Sequence, residues 1–229
     1  MRRVSSGKCE PRVSFGNIDR RTSHMVAKSI ARQLGNPSGV VGRLILPFVW
    51  NRRNSVLNDV ALENLALCPH DRVLEVGFGG GYLIGRMSKV VSNGLIAGVD
   101  ISPAMVAFCE KHYRRLVQDG KLELKCASAE VLPFASAQFD KACSVNSIFY
   151  WQDARRAFSE FARVLADGGR FVTCFTCRQS IESKSFANHV VLYDTSDVQQ
   201  MMESVGFHQL ETIHASDRHR DFVCLIGFK

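Results

Sequence analysis

A chain of 229 residues, 46% of them apolar, is long enough to enclose one sizeable core, and a single main domain is expected. No run of 18 or more apolar residues occurs, so a membrane-spanning helix is not expected. The net charge of +7 invites a nucleic-acid partner, but residues 1–24 hold six Arg and Lys against two acids, so more than half of the excess sits in that stretch.

This first stretch has no apolar periodicity and is read as a disordered tail, or as the remnant of an upstream start or cloning junction at Ser23-His24-Met25. It lacks the amphipathic stripe of a transit segment and carries no argument for nucleic acid. The eight cysteines are scattered through core-like segments, which suits reduced thiols in a cytoplasmic protein.

Residues 25–69 are expected to be helical. Val26 to Leu34 ends at the turn signal Gly35-Asn36-Pro37-Ser38-Gly39, and Val40 to Trp50 is apolar and broken near Pro47. Asn54 to Leu67 is amphipathic, with Val56, Leu57, Val60, Leu62, Leu65 and Ala66 as its stripe. From residue 70 to 229 the pattern changes to βαβ. Strands are predicted at Arg72–Val76, Leu95–Val99, Leu122–Cys126, Phe139–Val145 and Gly169–Cys174. The helices between them are Tyr82–Val91, Pro103–Leu116 (capped by Ser102) and Ala154–Leu165, with a last helix at Ser196–Val205. Leu210–Ala215 and Phe222–Phe228, joined by the short polar link 216–221, read as an antiparallel hairpin at one edge. The fold class is therefore α/β, Rossmann-like, with a seven-stranded mostly parallel sheet and helices on both faces.

The glycine turn Glu75-Val76-Gly77-Phe78-Gly79-Gly80-Gly81-Tyr82 follows the first strand, where an open parallel sheet binds its ligand. A dinucleotide fingerprint G-x-G-x-x-G fails in both registers, at Tyr82 and at Ile84, and no Gly-Lys-Ser/Thr ending makes a phosphate loop. Acidic-x-Gly-x-Gly-x-Gly does fit, through Glu75, Gly77, Gly79 and Gly81. An acid, Asp100, ends the second strand. Ala127-Ser128-Ala129-Glu130-Val131-Leu132-Pro133-Phe134 follows the third.

On these residues the chain resembles the class I S-adenosylmethionine (SAM)-dependent methyltransferases, in particular the type 11 domain of quinone and natural-product enzymes, over roughly residues 70–175. The resemblance implies SAM as cofactor and S-adenosylhomocysteine (SAH) as product. Glu75 would lie near the amino group, Gly77, Gly79 and Gly81 along the backbone approach, and Asp100 on the ribose hydroxyls. Ile101 and Met105 would pack on the nucleoside, and the Ala129 N–H and Glu130 would lie near the adenine. Ser128 stands where the family commonly has Asp, so a neutral hydroxyl replaces a charged acceptor.

Methyl transfer from a sulfonium needs alignment more than acid–base chemistry, with a base only for a protonated nucleophile. The candidates are Asn146, for cofactor or substrate, and Tyr150 and Trp151 as aromatic walls; Tyr150 and Asn146 are also catalytic candidates. His189 is the candidate base, with Tyr193 beside it, because histidine titrates near the working pH. The helices before residue 70 would form a lid, with Asn36, Arg43 and Asn54 toward the substrate. Cys174-Phe175-Thr176-Cys177 has no second pair to complete a metal site, and no metal is expected. The expected reading is an enzyme acting on a small molecule, as monomer or homodimer, without nucleic acid.

Overall fold

The computed structural model describes residues 54–182, 187 and 190–229. The predicted helices before Asn54, with Asn36 and Arg43, and the candidate base His189 lie outside the described residues.

The elements run α1 (Ser55–Leu65), β1 (Arg72–Val76), α2 (Tyr82–Met87), β2 (Leu95–Asp100), α3 (Pro103–His112) and α4 (Arg114–Gln118). They continue as β3 (Leu122–Cys126), β4 (Phe139–Val145), α5 (Ala154–Val164), β5 (Leu165–Thr176), α6 (Arg178–Ile181), α7 (Thr195–Ser204), β6 (His208–Ser216) and β7 (Asp221–Phe228). One seven-stranded sheet has the order β3-β2-β1-β4-β5-β7-β6. β1 to β5 pair in parallel, and β7 runs antiparallel to both β5 and β6. The strand order reverses between β1 and β4, and the carboxyl edge there holds the site.

Each face of the sheet has its own core, because successive strand residues point to opposite sides. Val73 joins Leu57, Ala61 and Leu65 of α1, Ile84 of α2 and Cys109 of α3. Leu74 and Val76 join Phe158 and Phe161 of α5 and Val198 and Met202 of α7. The second core is rich in rings: Phe161 lies 4.4 Å from Phe171 and 5.8 Å from Trp151 between centroids. Truncating Phe161, which is 0% exposed, should cost about 3–5 kcal/mol. Phe161→Ala should therefore lower Tm by roughly 6–20 °C, read by calorimetry.

Three local expectations are corrected. The stripe of α1 is Leu57, Ala61 and Leu65, while Val56 is exposed and Asn58 is buried. The polar Asn58 is tolerated because α1 ends the sheet face beside the cavity described below, which it lines. The predicted helix Pro103–Leu116 breaks at Tyr113 into α3 and α4; the Tyr113 hydroxyl donates to the Gly81 carbonyl at 2.8 Å, which holds that residue to the glycine turn. Ser102 precedes α3, but its side chain makes no capping bond and its Oγ is buried with no partner among the described residues. The cap position is organised instead by Asp100, which accepts the Ser102 N–H at 2.9 Å.

α1 is the described part of the region expected as a lid, and it is built into the core. Cys174 is buried in β5 as expected, whereas Cys177 lies just past the strand, at the start of α6. Among the described residues no helix is long and apolar enough to cross a membrane.

Candidate active site

A cavity of about 740 Å³ opens along the carboxyl edge of the sheet. Its lining includes Glu75, the glycine turn, Asp100, Ile101, Met105, Ser128, Ala129, Glu130, Asn146, Tyr150, Trp151 and Asn54. Most of the candidates named from the sequence line this cavity, and the sheet order divides them. Asp100 ends β2 and Ser128 follows β3 on one side of β1; Asn146 follows β4 and Thr176 ends β5 on the other.

The glycine turn is shaped by close approach. Gly77 has φ +82°, and a Cβ there would sit 2.5 Å from Ser147 Cβ. Gly81, at φ +73°, would place a Cβ 2.8 Å from Cys109 Sγ and 2.9 Å from the Tyr113 ring. These positions exclude a side chain on geometric grounds. The helix after the turn is shorter than predicted, ending at Met87, so its dipole is a minor contributor.

Two carboxylates lie beneath this turn. Asp100, 8% exposed, accepts the Gly79 N–H at 2.8 Å through Oδ2 and the Ser102 N–H through Oδ1. Burial raises its pKa, and those two N–H groups oppose the rise. Glu75 is 3% exposed and Oε2 is buried with no hydrogen-bond partner among the described residues. Burial, reinforced by the charge of Asp100, pushes Glu75 up to about 8, while the Ile84 N–H opposes the rise. An orphaned carboxylate oxygen under a glycine turn is a place for a cationic group, and a ligand amino group fits it.

The Ala127–Phe134 segment is largely a brace. The Glu130 carboxylate accepts the Ser128 hydroxyl, the Gln152 N–H at 2.7 Å and the Asp153 N–H at 3.3 Å. Arg163 donates to the carbonyls of Phe134 and Leu132 at 2.7 and 2.9 Å, and Glu160 accepts the Leu132 N–H. Glu130 therefore borders the cavity but spends its charge fixing two loops. Ser128 and Ala129 keep positions on the wall.

At the opposite end, Asn146 adopts φ +56°, unusual for a residue with a side chain. Its Oδ1 accepts both the Thr176 N–H at 3.2 Å and the Thr176 hydroxyl at 2.8 Å. Tyr150 borders the cavity, and desolvation pushes its phenol up to about 12, so it is a proton donor at neutral pH. Trp151 is 7% exposed and packs on Phe158 and Phe161, forming a wall that belongs to the core. Tyr193, expected near the substrate, does not line the cavity. It borders a separate shallow depression with Arg155, Asp197 and Met201. Arg178 holds its segment there, donating to the Leu192 carbonyl at 2.8 Å and to Asp194 at 2.9 Å.

The fold also brings in residues that the sequence did not single out: Asn58, Thr176, His219 and Arg220. The last two lie in the β6–β7 turn. The hairpin itself was legible, and an antiparallel return from β6 to a strand beside β5 places its turn at the carboxyl edge.

The family comparison agrees with this geometry. The methyltransferase domain family matches residues 74–173. Residues 74–173 thus form a methyltransferase domain, set in the fold of the class I SAM-dependent methyltransferases. This methyltransferase is 29% identical over 152 residues to the Bacillus subtilis protein named "Uncharacterized methyltransferase YdaC", covering 65% of this chain and 82% of that one. It is 36% identical over 109 residues to an O-methyltransferase of Pyrenophora dematioidea, covering 48% of this chain and 40% of the relative. The chain thus spans less than half the length of that fungal relative. A geranyl diphosphate methyltransferase solved in complex with SAM superposes with a TM-score of 0.67 at 17% identity, covering 86% of this chain and 93% of that one. That likeness shows the shared fold.

Proposed function

We propose that the chain transfers a methyl group from SAM to a small organic acceptor held between the ends of β4 and β5 and the β6–β7 turn. The observation that carries the reading is the buried, unpartnered Oε2 of Glu75 beside Asp100 under a glycine turn, an arrangement that suits a cationic amino group and a ribose. Glu75 would hold the amino group, Asp100 the ribose hydroxyls, and Ile101 and Met105 the apolar faces of the nucleoside. The Ala129 N–H would lie at the adenine. SAM supplies an electrophilic methyl group on a sulfonium.

The chain's own contribution is alignment and exclusion of water, worth on the order of 7–11 kcal/mol when the reactants are well oriented. Tyr150 and Trp151 would wall the acceptor. Proton removal, where the acceptor carries a proton, falls to His189 or to His219, an imidazole that lines the cavity. Relatives bearing the name O-methyltransferase support oxygen as the accepting atom. A relative named as a hydroquinone methyltransferase also supports a small acceptor, apolar or aromatic, over RNA or protein.

The test is a metabolite screen with methyl-labelled SAM, run alongside equilibrium SAM binding for wild type and Gly79→Arg. Gly79 lies on the cavity wall at φ +50°, so the new side chain enters the site. Wild type should bind SAM and label a low-molecular-weight product, and the variant should do neither. Equal SAM binding by both proteins would place the cofactor elsewhere.

A further inference from the structure

Helix α1 carries a polar residue on the face that it buries. Leu57, Ala61 and Leu65 form that face, and Asn58 beside them is 7% exposed and lines the cavity. Its N–H closes the first turn on the Asn54 carbonyl at 2.9 Å, but its carboxamide makes no hydrogen bond among the described residues. An unpartnered carboxamide there costs stability that a leucine would not.

α1 is pinned on both sides of Asn58. One turn earlier, Asn54 Oδ1 accepts Arg220 Nη2 at 2.7 Å. At the next residue, Asp59 accepts Arg86 Nη1 at 2.8 Å and the Tyr82 hydroxyl at 3.3 Å, both from α2. Asn58 is thereby held in place at the cavity wall before any ligand arrives.

Two observations say which ligand group it would meet. Glu75 has the parity of Val73 and pairs with Cys143, so its carboxylate lies on the sheet face that α1, α2 and α3 cover. Asn58 is on that face, and so is the unpartnered Glu75 Oε2. The glycine turn, in addition, has few donors left. The N–H groups of Gly77, Gly79 and Gly81 go to the Val99 carbonyl at 2.7 Å, Asp100 Oδ2 at 2.8 Å and the Phe78 carbonyl at 2.8 Å. That of Ile84 turns to Glu75. An anion arriving beside Glu75 gains little from the turn, which leaves side-chain donors outside it.

We propose that Asn58 is a cofactor-binding residue: with the ammonium of the amino-acid tail on Glu75, the adjoining carboxylate accepts from the Asn58 NH2 group. This rests on the methyl-transfer reading and extends its cofactor site to α1, ahead of the matched domain at 74–173. An acid and an amide on one face, each lacking a partner among the described residues, together suit a zwitterion.

The test uses the full chain and three probes titrated by calorimetry. These are SAM, decarboxylated SAM, which keeps the amino group, and 5′-methylthioadenosine, which has neither charged group of the tail. Wild type should prefer SAM over decarboxylated SAM by about 10- to 100-fold, the range of a hydrogen bond to a charged group. Asn58→Leu should reduce that preference to about threefold or less, and its affinity for 5′-methylthioadenosine should stay within about twofold of wild type. Asn58→Asp has the same shape but sets a carboxylate against a carboxylate, so it should weaken SAM more than decarboxylated SAM. In ligand-free melts Asn58→Leu should be at least as heat-stable as wild type, because no partner in the protein is lost.

Three results overturn the inference: no preference for SAM in wild type, an unchanged preference in folded Asn58→Leu, or a parallel loss of all three probes with a lowered ligand-free Tm, the mark of a structural role. Failure of wild type to bind SAM and 5′-methylthioadenosine alike counts against the methyl-transfer reading, and with it this assignment.

Discussion

Glu75→Gln is expected to make the ligand-free protein more heat-stable above mildly acidic pH while weakening SAM by roughly two orders of magnitude. The carboxyl of Glu75 has a pKa raised from 4.5 to about 8, first by burial and then by the neighbouring Asp100 charge. An acid whose folded pKa is raised leaves stability intact below the unfolded value, where both states are protonated. As pH climbs from about 4.5 to about 8, the unfolded chain ionises and the folded one resists, so stability is lost. Beyond about 8 both states are ionised and the loss levels off. Glutamine keeps the shape without that titration, so the Tm gap in favour of the variant should widen over this window and then flatten.

SAM binding runs the other way. With Glu75 assigned to the ligand amino group, binding requires the ionised carboxylate. Wild-type affinity should therefore rise with pH, by up to about tenfold per unit below about 8. The variant should be flat, and weaker by the loss of one buried charge-assisted contact, about 1.5–3 kcal/mol. Calorimetry in two buffers of different ionisation enthalpy adds a second readout, because wild type should release a proton on binding at pH 7. A pH-independent wild-type affinity would remove Glu75 from the amino-group site.

Asp100→Ala should be costly in both respects. In the ligand-free protein the N–H groups of Gly79 and Ser102 lose their acceptor, at about 1–3 kcal/mol for each one left buried. The turn that Gly79 anchors should loosen, and Tm should fall by several degrees. With SAM, the variant also forfeits the two ribose hydroxyl bonds assigned to the carboxylate. Affinity should drop at least about 100-fold, since hydrogen bonds to a charged group contribute about 1.5–3 kcal/mol each. The two effects separate experimentally: melts without ligand report the turn, and titration below the melting range reports the ribose contact. Wild-type SAM affinity in a folded Asp100→Ala protein would show that the nucleoside lies elsewhere.

The half of the cavity assigned to the cofactor could be named from the sequence because its residues are local. Glu75 and the glycines fall within seven residues, Asp100 closes the next strand, and Ser128 and Ala129 follow the one after. A parallel sheet brings strand ends together without any further information. The Ala-Glu-x-Leu-Pro-Phe segment was also legible, but its work was not. Glu130, Leu132 and Phe134 are tied to α5 and its preceding loop by Gln152, Glu160 and Arg163, pairings that no spacing rule connects. Tyr193 lies by a separate depression, and the bonds of Arg178 to Leu192 and Asp194 on either side of it are likewise not readable from spacing.

The acceptor half shows the division most sharply. By itself, the sequence determined the α/β class, the edge hairpin, and the turn and acids that suit a methyl donor. All of these follow from periodicity and short-range spacing. Only the tertiary structure joined Arg220 to Asn54, 166 positions apart, and set Thr176 against Asn146. β7 inserts antiparallel between β5 and β6, so the β6–β7 turn returns to the edge where the parallel strands end. The burial of strand faces sets that order, and hydrogen bonds between distant side chains then follow from it.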